Sequence, residues 1–242
     1  MIFILKAMEP FGLALKDYWE GNQYAKVVFH RDDGVVDDYF VEHCFRKPDD
    51  FSEIEKIAVE LCIGRVLDIG AGVGPHSLQL QKNGLEVYAL DVSEEACRIM
   101  KKRAVKHVMC SDLYSLRTEN FDTILLMGRA IGFVEDLAGM EKFLNHCEKL
   151  LNSKGIILLD SLDVRTTSVP EHLAYQERSR EMGRYFGEVR LQMEYKGQHG
   201  QPFKLLHIDP DTLRNIATEL DWKCQILHKE NDGDYLAKIS KL

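Results

Sequence analysis

The chain has no paired cysteines. Its six, Cys44, Cys62, Cys97, Cys110, Cys147 and Cys224, are scattered through 242 residues with no C-x-x-C spacing and no histidine at metal-ligand spacing. They read as reduced and mostly buried, which points to the cytoplasm. The nine histidines include no H-x-x-x-H pair, so no metal is expected. Long apolar runs are missing as well: Ile2-Phe3-Ile4-Leu5 stops at Lys6, too short for a membrane span or a signal segment. Positive charge is in deficit, with 31 Lys and Arg against 39 Asp and Glu. A net charge of −8 opposes a phosphate backbone and argues against nucleic acid as a partner. Repeats, low-complexity tracts and long polar linkers are absent too, so the 45% apolar content implies one substantial core.

What is present is organised around Arg65-Val66-Leu67-Asp68-Ile69-Gly70-Ala71-Gly72-Val73-Gly74-Pro75-His76. The β-branched apolar run reads as a buried parallel strand. Alternate glycines follow, where backbone must turn and pass close to a ligand, and Pro75 suits the first position of a helix. The third glycine of a dinucleotide fingerprint would fall at position 75, which is Pro75. Asp68, two residues before the first glycine, would repel a pyrophosphate but suits a cationic ligand. Asp91 closes the next strand about 20 residues on, where an acid can hold both hydroxyls of a ribose.

The D-x-G-x-G-x-G pattern with an acid ending the second strand resembles the class I S-adenosylmethionine (SAM)-dependent methyltransferases. Ser111-Asp112-Leu113 and Phe121-Asp122-Thr123-Ile124-Leu125-Leu126-Met127-Gly128 extend the likeness, strongly over residues 55–160 and more loosely beyond. The resemblance implies SAM as cofactor, held by Asp68, Gly70, Ala71, Gly72 and Gly74 near its methionine moiety. It places Asp91 and Val92 at the ribose, Ser111, Asp112 and Leu113 at the adenine, and Met127 and Gly128 beside the transferred methyl. It also implies an α/β, Rossmann-like fold: a seven-stranded, mostly parallel sheet with helices on both faces and an antiparallel C-terminal hairpin. Strands alternating with helices from Arg65 onward support the same architecture, with ligands at the strands' carboxyl ends.

Four segments are expected: an N-terminal lid (1–54), the SAM-binding core (55–160), an inserted substrate-side excursion (161–209) and a closing helix and hairpin (210–242). Residues 1–7 read as a loose extension, because Met8-Glu9-Pro10 also suits a start. Phe11, Leu15, Tyr18 and Trp19 share a helical face that either packs or closes over the cofactor pocket, with Tyr18 or Trp19 against the ligand. Asp33-Gly34 between apolar runs is a hairpin turn. Arg31 beside it and Arg46 downstream either sit in solvent or grip an acidic substrate. Asn152–Gly155 is read as the stop of a helix over about 136–151, ahead of a strand at 156–160. Asp160 is read as a cap or loop acid. Val189–Tyr195 and Phe203–Ile208 suggest an added hairpin.

The excursion holds seven Arg and Lys against seven acids, so the rest of the chain carries the whole negative balance. Arginine suits bidentate recognition of carboxylates. Arg129, directly after Gly128, either orients an acidic substrate or pairs with Glu135 or Asp136. Methyl transfer needs donor and acceptor held in line, and a carboxylate needs no base, being ionised at neutral pH. The favoured expectation is O-methylation of a carboxylate on a small metabolite or peptide C-terminus. A weaker resemblance to enzymes that esterify the C-terminus of ribosomally made, modified peptides supports it. The alternative is a phenol or amine acceptor with His30, His172 or Tyr195 as base. A nicotinamide-dependent oxidoreductase and a non-catalytic SAM-binding module are the competing classes. Oligomeric state has no signature in the sequence.

Overall fold

The computed structural model describes residues 2–117 and 120–242. In chain order, α1 (Ile2–Trp19), β1 (Lys26–Arg31) and β2 (Val36–Phe40) precede α2 (Glu53–Leu61). Then come β3 (Arg65–Ile69), α3 (Pro75–Lys82), β4 (Glu86–Asp91), α4 (Glu94–Lys102), β5 (His107–Cys110) and β6 (Phe121–Leu126). The second half comprises α5 (Leu137–Leu150), β7 (Leu151–Leu162), α6 (Pro170–Glu181), β8 (Glu188–Tyr195), β9 (Gln198–His199) and β10 (Phe203–Leu206). It closes with α7 (Pro210–Glu219), β11 (Trp222–Lys229) and β12 (Asp234–Lys241).

Seven strands form the main sheet, in the order β11-β12-β7-β6-β3-β4-β5. The five from β7 to β5 run parallel, while β12 is antiparallel to both β7 and β11. Val66, Leu67, Ile124, Leu125, Ile157 and Leu158 are fully enclosed, as expected of strands with helices on both faces. One face packs on Met140, Phe143 and Leu144 of α5, the other on Ile54 and Ala58 of α2 and Leu80 of α3. Side chains cap three of the helix starts. Ser52 and Glu55 form a reciprocal box at α2, and Ser93 and Asp136 accept backbone N–H groups at α4 and α5.

The second sheet, order β10-β8-β1-β2 with β9 on β8, is antiparallel throughout. It unites the N-terminal hairpin with the excursion's hairpin, pairing Phe29 with Met193 and Val28 with Glu194. The N-terminal segment and the excursion, expected to make a lid together, thus share one sheet, the lid sheet. Its inner face carries Val27, Phe29, Met193 and Tyr195, packed with Ala14 and Leu15 of α1. Lys196 and Gly197 both take positive φ, the geometry of a two-residue hairpin turn that joins β8 to β9.

Two boundaries differ from expectation. Residues 2–7 are helical rather than a loose extension; Met1 lies outside the described residues. Pro10 sits inside α1 and has no N–H for the Lys6 carbonyl. That oxygen accepts the backbone N–H of Gln201 instead, at 3.4 Å, so the gap in the helix ladder is used to dock the lid. Asn152–Gly155 belongs to β7 rather than ending α5. Phe121 pairs with Leu151 but Thr123 with Ile156, so residues 152–155 bulge from the ladder while Asn152 donates to Asp122, at 2.7 Å. No helix among the described residues is long and apolar enough to cross a membrane.

Candidate functional site

A cavity of about 310 Å³ opens over the carboxyl ends of β3, β4, β5 and β6, beneath α1. Gly70, Ala71 and Gly72 form part of its wall, with Asp91 and Val92 from the end of β4. Ser111, Asp112 and Leu113 follow β5, and Met127 and Gly128 follow β6. Ten of the twelve expected cofactor residues are thus brought together. The other two, Asp68 and Gly74, support the wall from behind.

The glycine turn explains itself sterically. A Cβ on Gly74 would fall 2.9 Å from a Val105 methyl, and Gly74 has φ 79°. Gly72, with φ 56°, would meet no atom within 4 Å: it faces open space, where a ligand can approach bare backbone. Asp91 holds this turn in place. One carboxylate oxygen accepts the Gly72 N–H at 2.8 Å and the other accepts the Ser93 N–H at 2.8 Å. Burial pushes the Asp91 carboxyl up to about 6, against the pull of those N–H groups.

Asp68 is buried behind the turn and accepts a 2.6 Å hydrogen bond from the Ser77 hydroxyl. Burial raises its pKa above the ordinary carboxylate value. It therefore ties β3 to α3 from behind the cavity wall, beside the glycine turn. Asp112 lines the cavity while one of its oxygens caps the following turn through the Tyr114 N–H, at 2.7 Å.

After β6 the chain turns through Gly128 and Arg129, both at positive φ. Asp160 on β7 accepts both backbone N–H groups, from Gly128 at 3.1 Å and Arg129 at 2.9 Å. Burial pushes its carboxyl up to about 6, opposed by the Arg129 N–H. The capping role read for Asp160 is thus exercised across strands, on the loop beside the cavity. The Arg129 guanidinium makes a bidentate pair with Asp234 on β12, both contacts 2.7 Å. The expected partners Glu135 and Asp136 are not those it takes, because the left-handed turn sends the side chain toward the antiparallel edge.

Of the expected substrate groups, Arg46 alone lines the cavity. It grips a carboxylate of the chain itself, donating to Glu55, which also shares a 2.6 Å hydrogen bond with His76. Burial works against the charge on Glu55, but His76 and Arg46 together bring its pKa down to about 2. Tyr18 and Trp19 stack on Phe45 instead of meeting the cavity, while Met8, Phe11 and Leu15 of the same helix line it. Arg31 is held by Asp33 and lies over the Tyr175 ring at 4.5 Å.

The three expected bases are elsewhere. His30 meets Glu194 at 2.8 Å on the lid sheet, exposed His172 contacts Thr167, and the Tyr195 hydroxyl donates to Asp17 at 2.8 Å. Sequence reasoning missed Tyr39, Cys44, His76 and Phe133 on the wall. His76 alone carried a signal, directly after Pro75 at the helix start. Burial raises Tyr39 well above an ordinary phenol and pushes Cys44 up to about 11.

Comparison with known proteins agrees with this geometry. A family profile described as a methyltransferase domain matches residues 67–159. A SAM-dependent methyltransferase from Bacteroides fragilis, solved with S-adenosyl-L-homocysteine, is 30% identical. That likeness spans 98% of this chain and 97% of the other, with a TM-score of 0.85. The methyltransferase CcbJ from Streptomyces caelestis shares the fold at 12% identity and TM-score 0.60, over 82% of this chain and 92% of its own. The glycopeptide N-methyltransferase MtfA, solved with SAM, does so at 15% and 0.54, over 79% and 93%. No curated protein matches the sequence significantly.

Proposed function

The chain belongs to the SAM-dependent methyltransferases, and from that premise we propose that it methylates a carboxylate, on a small metabolite or a peptide C-terminus. The observation behind this reading is that none of the three bases expected for a phenol or amine acceptor, His30, His172 and Tyr195, lines the described cavity wall. On the wall itself, His76 turns its Nε2 to Glu55, Asp91 holds two backbone N–H groups, one Asp112 oxygen holds the Tyr114 N–H, and Tyr39 and Cys44 are held protonated. A phenol or an ammonium would need its proton removed, whereas a carboxylate arrives as the nucleophile. Arg46, the one Lys or Arg on the described wall, places positive charge at the mouth, partly offset by Glu55.

The cofactor brings an electrophilic methyl group on a sulfonium. Three features fit it: the open backbone at Gly72, a carboxylate at the end of β4, and a cavity within the size range of small-molecule sites. We assign Asp91 to the ribose hydroxyls, the Ser111–Leu113 segment to the adenine, and Met127 and Gly128 to the reacting end. Asp160 and Asp234 hold the loop behind that end, so the chain's contribution to rate is alignment and exclusion of water.

The test is incubation with methyl-labelled SAM and a panel of carboxylate metabolites and free or amidated peptides, followed by mild base. Methyl esters release volatile labelled methanol; ethers and N-methyl groups do not. Base-labile label that is lost on amidation supports the reading, and base-stable label overturns it in favour of a phenol or amine acceptor.

A further inference from the structure

On the outer face of the lid sheet, His30 of β1, Glu194 of β8 and His199 of β9 converge from three adjacent strands. None of the three touches the cavity, and the proposed methyl transfer uses none of them. The His30 Nε2 atom lies 2.8 Å and the His199 Nε2 atom 3.7 Å from the same Glu194 oxygen. All three ligand atoms fall within 4.8 Å of one another. In a tetrahedral zinc site, bonds of 2.0–2.1 Å place ligand atoms about 3.3 Å apart, between the two shorter separations here. The imidazole rings are 5.5 Å apart, centroid to centroid, so small side-chain rotations would close the triangle.

We propose that His30, Glu194 and His199 form a site for a divalent transition-metal ion of the zinc class, with water completing the coordination, which pins the lid's three strands together. Two imidazoles and one carboxylate are a donor set suited to Zn²⁺ and its neighbours rather than to Mg²⁺ or Ca²⁺. The strand pairings hold the ligands in position before binding. Glu194 is cross-strand partner to His199, and His30 lies two residues beyond Val28, the partner of Glu194 on β1. The carboxylate is available: among the described residues its ion pairs are with the two histidines alone. The cost of organising three side chains is therefore small, and the metal replaces a hydrogen bond already aimed at the same point.

The bland alternative is a surface His–Glu pair that binds nothing. Titration of the full chain with Zn²⁺ against a chromophoric chelator separates the two. We expect one site of about 1 μM or tighter, at least tenfold weaker in each of His30→Gln, Glu194→Gln and His199→Ala. Zinc should raise the melting temperature of the wild type more than that of each variant. The exposed Cys110 thiol and the His228–Glu230 pair also attract zinc, so the variants are the decisive arm. Since all three substituted side chains are at least partly exposed, folding should survive, which circular dichroism checks. Absence of a site tighter than about 100 μM, or variants that bind as the wild type does, overturns the proposal.

Discussion

The two sheets of this protein are built on opposite plans. In the main sheet, β3 to β7 follow one another with a helix in most connections, and the ends of β3, β4, β5 and β6 each deliver their own residues to the cavity. The lid sheet is assembled from β1 and β8, whose paired residues Phe29 and Met193 lie far apart in the chain. The first plan writes its chemistry locally, in motifs such as Asp68–Gly74; the second writes it in pairings that no local pattern announces. The proposed cofactor contacts thus rest on contiguous sequence, while the sheet packed against α1 depends on two separate segments finding each other.

The contrast is broken most strongly at Asp91. Asp91→Ala removes the acceptor of the Gly72 and Ser93 N–H groups and of the two ribose hydroxyls proposed for it, so SAM affinity should fall roughly 100-fold. Calorimetric titration measures it, and an unchanged isotherm would take Asp91 out of the cofactor site. On the lid side, a Cβ on Gly187 would lie 1.8 Å from the His207 carbonyl oxygen, where β8 and β10 begin to separate. Gly187→Ala should cost about 1–3 kcal/mol in denaturant unfolding. Methyl transfer should suffer more than SAM affinity, and equal loss of both would show that the lid is not separable from cofactor binding.

A gentler probe is pH. The Asp91 carboxyl, pushed up to about 6 by burial, protonates as pH falls through that value and can no longer accept all its donors. SAM affinity should be about tenfold lower at pH 5 than at pH 7, and Asp91→Asn should flatten the dependence. Stability of the ligand-free protein runs the other way. Between about pH 4 and 6 the folded chain keeps protons on Asp91 and Asp160 that the unfolded chain releases, so stability falls as pH rises through that window.

Much of the main sheet was legible because its signals are local. Val66–Ile69, the glycines, Asp91 and Ser111–Leu113 appear in the order in which they come to the cavity. The illegible parts depend on distance. Arg129 pairs with Asp234, more than 100 residues later, where sequence proximity favoured Glu135 or Asp136. His30 and Tyr195 are types that catalyse, yet each is satisfied by a residue far away in the chain, Glu194 and Asp17, whereas Arg31 is held by its near neighbour Asp33. His76 was passed over because its value comes from Glu55, one helix away. Searching histidines by spacing along the chain likewise missed His30 and His199, which meet only when β1 and β9 flank β8.

The pairing of β1 with β8 also orders events during synthesis. The β1–β2 hairpin emerges early, but the strand that covers its other edge is made only after residue 188. Until then the growing chain carries an unpaired strand edge and an apolar face awaiting its partner. The cofactor core, complete by residue 162 apart from its closing hairpin, is ready first. Loop closure across so long a separation is slow compared with local steps, so a chain interrupted in the excursion would hold a glycine turn whose covering helix α1 still lacked Met193 and Tyr195 behind it.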